Sequence, residues 1–562
     1  MVKCSFNNFK AFGKHPQKFS SKPITLVYGP NSSGKSSFLH SIIYREHLLN
    51  NGNTDLQKTG LGGDEIDFGG FKNFIHKHNT KNILRYTYEF MDKETIQYIL
   101  YYKYTDCFSE LNNEFNSESF LEKINPRILF DIIKEKDGLK KLLKDNKNLQ
   151  ITAAINVEEL HSIISNSYGI EKIEIEIRTG IDHNYAFYKK DIVIIINSEE
   201  YAHLRSFYDN ADDVPKNLKT IDRTFLKDRF LIKLNKNHPF VKTVKENINY
   251  NESYDTEPNL YNQDKMDDRG YYLWSLDELK YKNIYSVLKE FDKSKGIDVL
   301  LGDIALCIFE GFNGYRFKQT IQYYSPLRFY PERKDLIFDN FSNHRDDYKP
   351  NSSKDIWGKI VHDEYARKKL NAWLYDEKKL KSSYKIEVEK FYKFKDIKDV
   401  PNIQYPDIQE LKFLDLRTGV FVSPRDMGLG ISQSLPILAS CFTLYDSSIF
   451  IEQPELHLHP AVQCEIADEF IKSKNNNRND FFIETHSEHI LLRIMRRLRY
   501  SSEGKINKGD ELYITPEDIC LLYVDNNGED TYIKELELDV DGTLLDPWPN
   551  GFFEEGYKER FE

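Results

Sequence analysis

Cysteine is scarce in this chain: Cys4, Cys107, Cys307, Cys441, Cys464 and Cys520 are the only six in 562 residues, and no two form a CxxC pair. That spread argues against a disulfide framework or a zinc ribbon and fits reduced thiols in a cytoplasmic protein. No apolar run approaches the roughly 20 residues a membrane helix needs. The opening MVKCSFNNFKAFGKH also lacks the continuous apolar segment of a signal peptide. An excess of positive charge is absent too. The 78 Lys and Arg against 89 Asp and Glu leave a net −11 and a pI near 5.8, so any contact with nucleic acid must be a local patch. No repeat of fixed period and no sustained heptad pattern appears, which disfavours a long coiled coil. What the chain does have is apolar and aromatic mass, 40% and 14% of residues, enough for substantial cores. Global disorder is therefore excluded, and at roughly 150 residues per domain the length suggests three or four domain-sized units.

The first informative stretch lies near the start. ITLVY (24–28) reads as a short buried strand, Gly29 to Ser36 as a glycine-bounded turn, and Ser37 to Leu49 as a helix. Gly29-Pro30-Asn31-Ser32-Ser33-Gly34-Lys35-Ser36, followed by Ser37, satisfies GxxxxGK[ST] in full. In such a loop the glycines let backbone N–H groups turn inward around phosphates, the lysine reaches the β and γ oxygens, and the hydroxyl ligates Mg²⁺. The helix that follows presents its positive end to the anion. A chance glycine–serine loop is the alternative, and the strand and helix on either side argue against it.

The C-terminal portion alternates short hydrophobic strands with helices. Ser432 to Tyr445 forms an apolar helix, SSIFIE (447–452) a strand, Pro460 to Lys472 a helix, DFFIET (480–485) a strand, Glu488 to Tyr500 a helix and ICLLYV (519–524) a third strand. That alternation predicts an α/β fold with a parallel sheet. Residues 83–106 are rich in β-branched and aromatic residues and predict antiparallel strands, while 107–317 reads as an insertion of mixed helical, strand and polar character. The expected organisation is an ATPase head in two parts, 1–106 and 318–562, split by the 107–317 insertion. A phosphate loop also needs an acidic group on a neighbouring strand to hold its metal. Glu452, Gln453 and Glu455 follow SSIFI and supply candidates.

GPNSSGKSS (29–37), IEQPELHLHP (451–460) and THS (485–487) together resemble the ATP-binding-cassette ATPases of the SMC, RecF and OLD type. The resemblance implies an ABC-type P-loop head that binds ATP and Mg²⁺, with Ser36 and Glu452 at the metal and His486 as a switch histidine on the γ-phosphate. Gln453 stands where that family carries its catalytic glutamate. A neutral amide orients water but cannot take its proton. Either Glu455 takes over, or turnover is slow and the ATP-bound state persists; slow turnover is the expectation. MGLGISQSLPIL (427–438) resembles the family's signature segment in the form GxGxSQ. On that match Gly430, Ser432 and Gln433 belong to the nucleotide site of an opposing copy, and the chain forms a homodimer or higher oligomer on ATP. YYSPLRFYPER (323–333), FLDLRTGV (413–420) and PWPNGFFEEGYKERF (547–561) look like segments of a bacterial subgroup of AAA/ABC ATPases. Among the members it resembles are the PtuA-type ATPases of Septu and retron-linked phage defence, which pair with a separate HNH nuclease. The implied function is nucleotide-dependent control of a partner nuclease, the alternative being a repair or chromosome-maintenance ATPase acting directly on DNA.

Other clusters admit two readings each. The HxH pairs His457/His459 and His76/His78 can bind zinc or serve as structural loops. Glu484, His486, Glu488 and His489 suggest metal-assisted hydrolysis, but the strand-then-helix setting favours the switch histidine. Asp539 and Asp541 form a DxD pair with too little chain around it for a nuclease domain, so a hairpin cap is expected. Arg493, Arg496 and Arg497 share a helical face with Arg499 nearby, as a phosphate-binding patch or an ion-paired face.

Overall fold

A computed structural model of the chain describes residues 2–50, 60–61, 66–96, 98–100, 170–181, 188–206, 229–235, 237–242, 272–275, 304–305, 308–309, 311–312, 320–328, 337–339, 353–377, 379–392, 408–423 and 426–553. The chain divides into two compact units. One comprises Met1–Phe6, Asn51–Thr54 and Thr80–Phe317; the other comprises Asn7–Asn50, Asp55–Asn79 and Lys318–Glu562.

The first unit is built on a sheet with strand order Tyr272–Ser275, Arg229–Leu234, Glu199–Ser206, Tyr188–Ile196, Ile173–Ile181, Leu84–Phe90 and Val2–Asn7. Strict alternation explains it. Ile173, Ile175 and Ile177 are buried, while Glu174, Glu176 and Arg178 lie on the opposite face. One expectation is corrected here. Leu84–Phe90 is an antiparallel strand as expected, paired with Ile173–Ile181 (Leu84 opposite Thr179). The strand expected after it is instead helical over 93–96 and 98–100. Asp92 Oδ1 accepts the Thr95 N–H at 2.8 Å, a start signal, and Ile96, Ile99 and Leu100 are buried at helical spacing. Residues 101–169 and most of 207–303 lie outside the described residues, as do 329–333 and 554–561 of the segments singled out above.

The second unit carries the phosphate loop. Its elements are β1 (Ile24–Tyr28), α1 (Lys35–Asn50), β2 (Thr320–Tyr324), α2 (Ser353–His362), α3 (Glu364–Tyr375), α4 (Leu429–Thr443), β3 (Ser447–Glu452), α5 (Pro460–Asn477), β4 (Asp480–Glu484), α6 (Glu488–Ser502), β5 (Ile519–Asn526) and β6 (Thr531–Leu536). The sheet order is β2-β3-β4-β1-β5-β6, parallel except for the antiparallel β5–β6 edge. Every residue of β1 and β3 is buried, as expected for strands covered on both faces, which is why they read as continuous apolar runs. Ile24, Leu26, Ile449, Ile451, Phe481 and Ile483 meet Leu435, Leu438, Ile466, Phe470, Ile490 and Ile494 of α4, α5 and α6 in one core. Truncating such an isoleucine costs roughly 2–5 kcal/mol. A smaller antiparallel sheet, Ile337–Asp339, Ile408–Asp415 and Tyr384–Phe391 with Val420–Val422, adjoins α2 and α3 within the same core. Among the described residues no helix is long and apolar enough to cross a membrane.

Candidate nucleotide site

The phosphate loop joins β1 to α1 as expected, except that the helix begins at Lys35 rather than Ser37. Gly29 (φ 145°) and Gly34 (φ 106°) hold backbone conformations that side chains disfavour. A Cβ on Gly29 would sit 2.1 Å from the Val524 carbonyl oxygen, and one on Gly34 would sit 3.0 Å from Thr531 Cγ2. The loop therefore lies against the β5–β6 hairpin, where Thr531 Oγ1 donates to the Ser33 carbonyl at 3.0 Å. Pro30, Asn31 and Ser32 form an exposed tip, whereas Ser33 and Lys35 are buried. Lys35 Nζ donates to the carbonyls of Gly29 (3.1 Å) and Pro30 (2.8 Å) and lies 3.9 Å from Glu484 Oε1. Burial lowers its pKa against the pull of Glu484, Glu455 and Glu452.

Two glutamates meet this loop. The register of β3, β4 and β1 sets Glu452 opposite Glu484 and Glu484 opposite Val27, so the carboxyl ends of adjacent parallel strands bring both carboxylates to the start of α1. Ligands bind outside such strand ends in open α/β sheets. Ser36 Oγ donates to Glu484 Oε2 at 2.7 Å. Glu452 Oε1 accepts from Tyr323 Oη at 2.8 Å and faces His40 Nε2 at 3.4 Å. His40 Nδ1 in turn accepts from Lys10 Nζ at 2.7 Å. Burial alone would raise Glu452, but the His40 contact and the Tyr323 and Ser36 hydroxyls outweigh it and hold the carboxyl below its ordinary value. Glu484 goes the other way: burial, then the neighbouring Glu452 charge, push it up to about 7. Burial pulls Lys10 down to about 8 despite Glu452.

The loop after β3 positions the remaining candidates. Gln453 is left-handed (φ 47°) and its N–H donates to the Glu484 carbonyl at 2.7 Å. Glu455 accepts from Thr485 Oγ1 and from the His486 N–H, both at 2.7 Å, and burial still raises its pKa against these bonds. His486 stands just before α6. Its Nε2 is buried with no hydrogen-bond partner among the described residues, and burial and the Lys35 charge lower its pKa. Ser487 caps α6 by accepting from the Ile490 N–H at 3.1 Å, and its own carbonyl takes the Tyr28 hydroxyl at 2.9 Å.

The signature segment is placed differently from the expectation. α4 begins at Leu429, capped by Gly428, so Ser432 sits within the first turn, buried, with its hydroxyl donating to the Leu429 carbonyl at 3.1 Å. The reason is the Gly428 carbonyl, which already accepts the Ile431 N–H at 3.0 Å and starts the helix three residues early. Gly430 is needed where it stands, since a Cβ there would lie 2.5 Å from the His457 carbonyl. Gln433 exchanges bonds with the Arg328 backbone, accepting the N–H at 3.0 Å and donating to the carbonyl at 3.4 Å. Arg328 itself donates to the carbonyls of Glu452 and Gln453, both at 3.0 Å, and so fixes the end of β3.

Lys10 and His40 carry no local motif that marks them as site residues, whereas Tyr323 and Arg328 stand in the YYSPLR run and Glu484 in the cluster that ends at His489. Among the described residues no cluster of three or more His, Cys, Asp or Glu side chains is arranged to hold a metal by itself. His459 Nδ1 caps α5 by accepting the Ala461 N–H, and His76 and His78 bond to the Lys10 and Lys72 carbonyls, which gives the HxH pairs structural work. Asp539 and Asp541 lie in the turn between Leu538 and Leu544, where Asp541 accepts the Thr543 N–H at 2.8 Å. Arg493 and Arg497 turn inward onto Asp468 of α5, Arg493 also reaching Glu465 at 2.7 Å, while Arg496 reaches the Tyr500 hydroxyl at 2.7 Å. Of the two readings of this face, Arg493 and Arg497 follow the ion-paired one.

A parallel sheet whose carboxyl edge carries a P-loop, paired glutamates and a histidine defines a P-loop nucleotide hydrolase. The sequence profile of a family described as the AAA ATPase domain matches residues 1–491, and the chain belongs to that family. A second profile, described only as a protein of unknown function, matches residues 514–562. No curated protein matches the chain. Solved structures similar to it include an Smc head bound to the C-winged helix domain of ScpA (10% identity, 96% of this chain and 97% of that one, TM-score 0.33). Others are an SMC head domain from Thermotoga maritima (9%, 95% and 98%, TM-score 0.30) and the recombination mediator RecF with a bound nucleotide (10%, 95% and 98%, TM-score 0.27).

Proposed function

We propose that this ATPase closes two copies of itself around ATP and Mg²⁺, hydrolyses slowly, and uses its nucleotide state to control a separate HNH-type nuclease in anti-phage defence. The observation that carries the nucleotide part is the convergence of Lys35, Ser36, Glu452, Glu484 and Glu455 on one edge of the sheet. A hydroxyl among carboxylates is a hard-oxygen donor set, which suits Mg²⁺. Ser36 and Glu452 would hold the ion, which when bound neutralises charge on the β and γ oxygens. His486, with an unsatisfied Nε2, serves the γ-phosphate. Slow turnover fits the chemistry: Gln453 cannot accept a proton, and both oxygens of Glu455 already accept hydrogen bonds. The opposing copy contributes the α4 start, where Gly428 and Leu429 are exposed and Gly430, Ser432 and Gln433 shape the turn behind them.

The nuclease partner is supported by the subgroup resemblance of residues 323–333, 413–420 and 547–561 and by the turn geometry of Asp539 and Asp541, which leaves this chain no cutting centre of its own there. Of the arginines that could hold nucleic-acid phosphates, Arg493 and Arg497 are ion-paired to Asp468. Two experiments test the proposal. The purified chain should turn over well below about 10 per second, and a rate at or above that level, unaffected by Glu455→Ala, would remove the slow-hydrolysis reading. A tagged pull-down from the native host should recover a nuclease, alone or with a reverse transcriptase and its DNA product; recovery of the ATPase alone or with repair factors would move the function to genome maintenance.

A further inference from the structure

The strand register places a second carboxylate at the metal position. Glu484 and Glu452 are partners across the β3–β4 ladder, both about 5% exposed, and their side chains approach the same hydroxyl. Like charges directly opposite one another on a sheet repel, and burial sharpens the repulsion. The cations at hand are committed elsewhere in part: Lys35 Nζ is 3.9 Å from Glu484 and donates to two loop carbonyls, while His40 and Lys10 lie on the Glu452 side. Of the two glutamates it is Glu484 that takes the Ser36 hydroxyl directly, at 2.7 Å. Glu452 is instead gripped by Tyr323, and its backbone by Arg328.

We propose that Glu484 is a second acidic ligand for the divalent cation of the ATP site, bridging Ser36 and Glu452, so that the cation is held by a carboxylate pair. This rests on the reading of the site as an Mg·ATP site. The pairing explains why a carboxylate is buried at the last position of β4, where a parallel strand otherwise carries apolar side chains. It also divides the labour: Glu452 is held by Tyr323 and His40, and Glu484 by the Ser36 hydroxyl at the start of α1.

The test separates cation binding from folding and from catalysis. ATP affinity is measured calorimetrically for the full chain in EDTA and in Mg²⁺, and bound Mn²⁺ is counted by electron paramagnetic resonance with ATP present. The wild type should bind ATP more tightly with Mg²⁺ than without. In Glu484→Gln the EDTA affinity should persist, while the Mg²⁺-dependent gain and the Mn²⁺ affinity should fall by about tenfold or more, as for lost metal-site partners. Glu484→Asp, which keeps the carboxylate, should recover part of both. A Glu484→Gln variant that retains the full Mg²⁺ gain overturns the assignment. So does one that loses ATP binding in EDTA while its circular dichroism stays native, since Glu484 would then act only by holding the loop. A wild type that binds no ATP under either condition would instead sink the nucleotide-site reading beneath it.

Discussion

Glu484 has a second life in the nucleotide-free protein. Its folded pKa, about 7, lies above the ordinary 4.5, so the native state binds this proton more tightly than the unfolded chain does. Stability therefore falls as the pH rises from about 4.5 to about 7, and the full penalty, on the order of 3 kcal/mol, persists above that window. Glu484→Gln should raise the melting temperature of the nucleotide-free chain at pH 8 and change it little near pH 4.5. Scanning fluorimetry at the two pH values checks this, and an equal gain at both would contradict it. Gln453 gives the complementary experiment. The substitution Gln453→Glu supplies a base beside the loop and should accelerate steady-state ATP hydrolysis by about tenfold or more. At this scale the sequence was legible where a motif fixes spacing: Lys35, Ser36, Glu452 and His486 all stand at one sheet edge. It was silent on His40 and gave Glu484 only within the cluster of Glu484, His486, Glu488 and His489, because their partners are chosen by strand register and helix phase across hundreds of residues.

Elements were legible for a different reason. The strands Ile24–Tyr28 and Ser447–Glu452 are unbroken apolar runs bounded by turns, and their limits match the expectation residue for residue. The stretch after Phe90 misled because Tyr and Ile favour strands, and the deciding signal was a single Asp92 cap. The arginines of α6 left two readings open, because helical spacing shows that they share a face but not what the face meets. Asp468, about 3% exposed, joins Arg493 and Arg497 and so ties the helix after the acidic loop to the helix after His486. Removing it takes the Asp468 carboxylate from Arg497 and leaves half-buried Arg493 with Glu465 alone. Asp468→Ala should cost roughly 3 kcal/mol in urea unfolding, and Arg496→Glu, an exposed side chain bonded to the Tyr500 hydroxyl, less than about 0.5 kcal/mol. Equal effects from the two would refute the clamp.

For the whole molecule the open quantity is its assembly. Ser432 is a poor probe of an ATP-driven dimer because its hydroxyl is bound within its own helix turn. Gly428 is a better one: it is exposed, its φ of −56° suits any residue, and nothing lies within 4 Å of the point where a Cβ would stand. Gly428→Arg should leave the melting temperature unchanged and abolish the mass doubling that ATP and Mg²⁺ are expected to induce in light scattering. A doubling that survives the substitution would place the opposing surface elsewhere. The strand Leu84–Phe90 was legible from its composition, but its pairing with a strand beyond residue 170 was not.

The wall behind the phosphate loop also sets an order in time. Gly29 rests on Val524, and Ser33 and Gly34 rest on Thr531, which lies 498 residues beyond Ser33 in the chain. A growing chain cannot finish this site until those distant residues have been made. A fragment cut short by a stop codon or a protease before residue 531 would keep the complete motif in its sequence while lacking the support that shapes it.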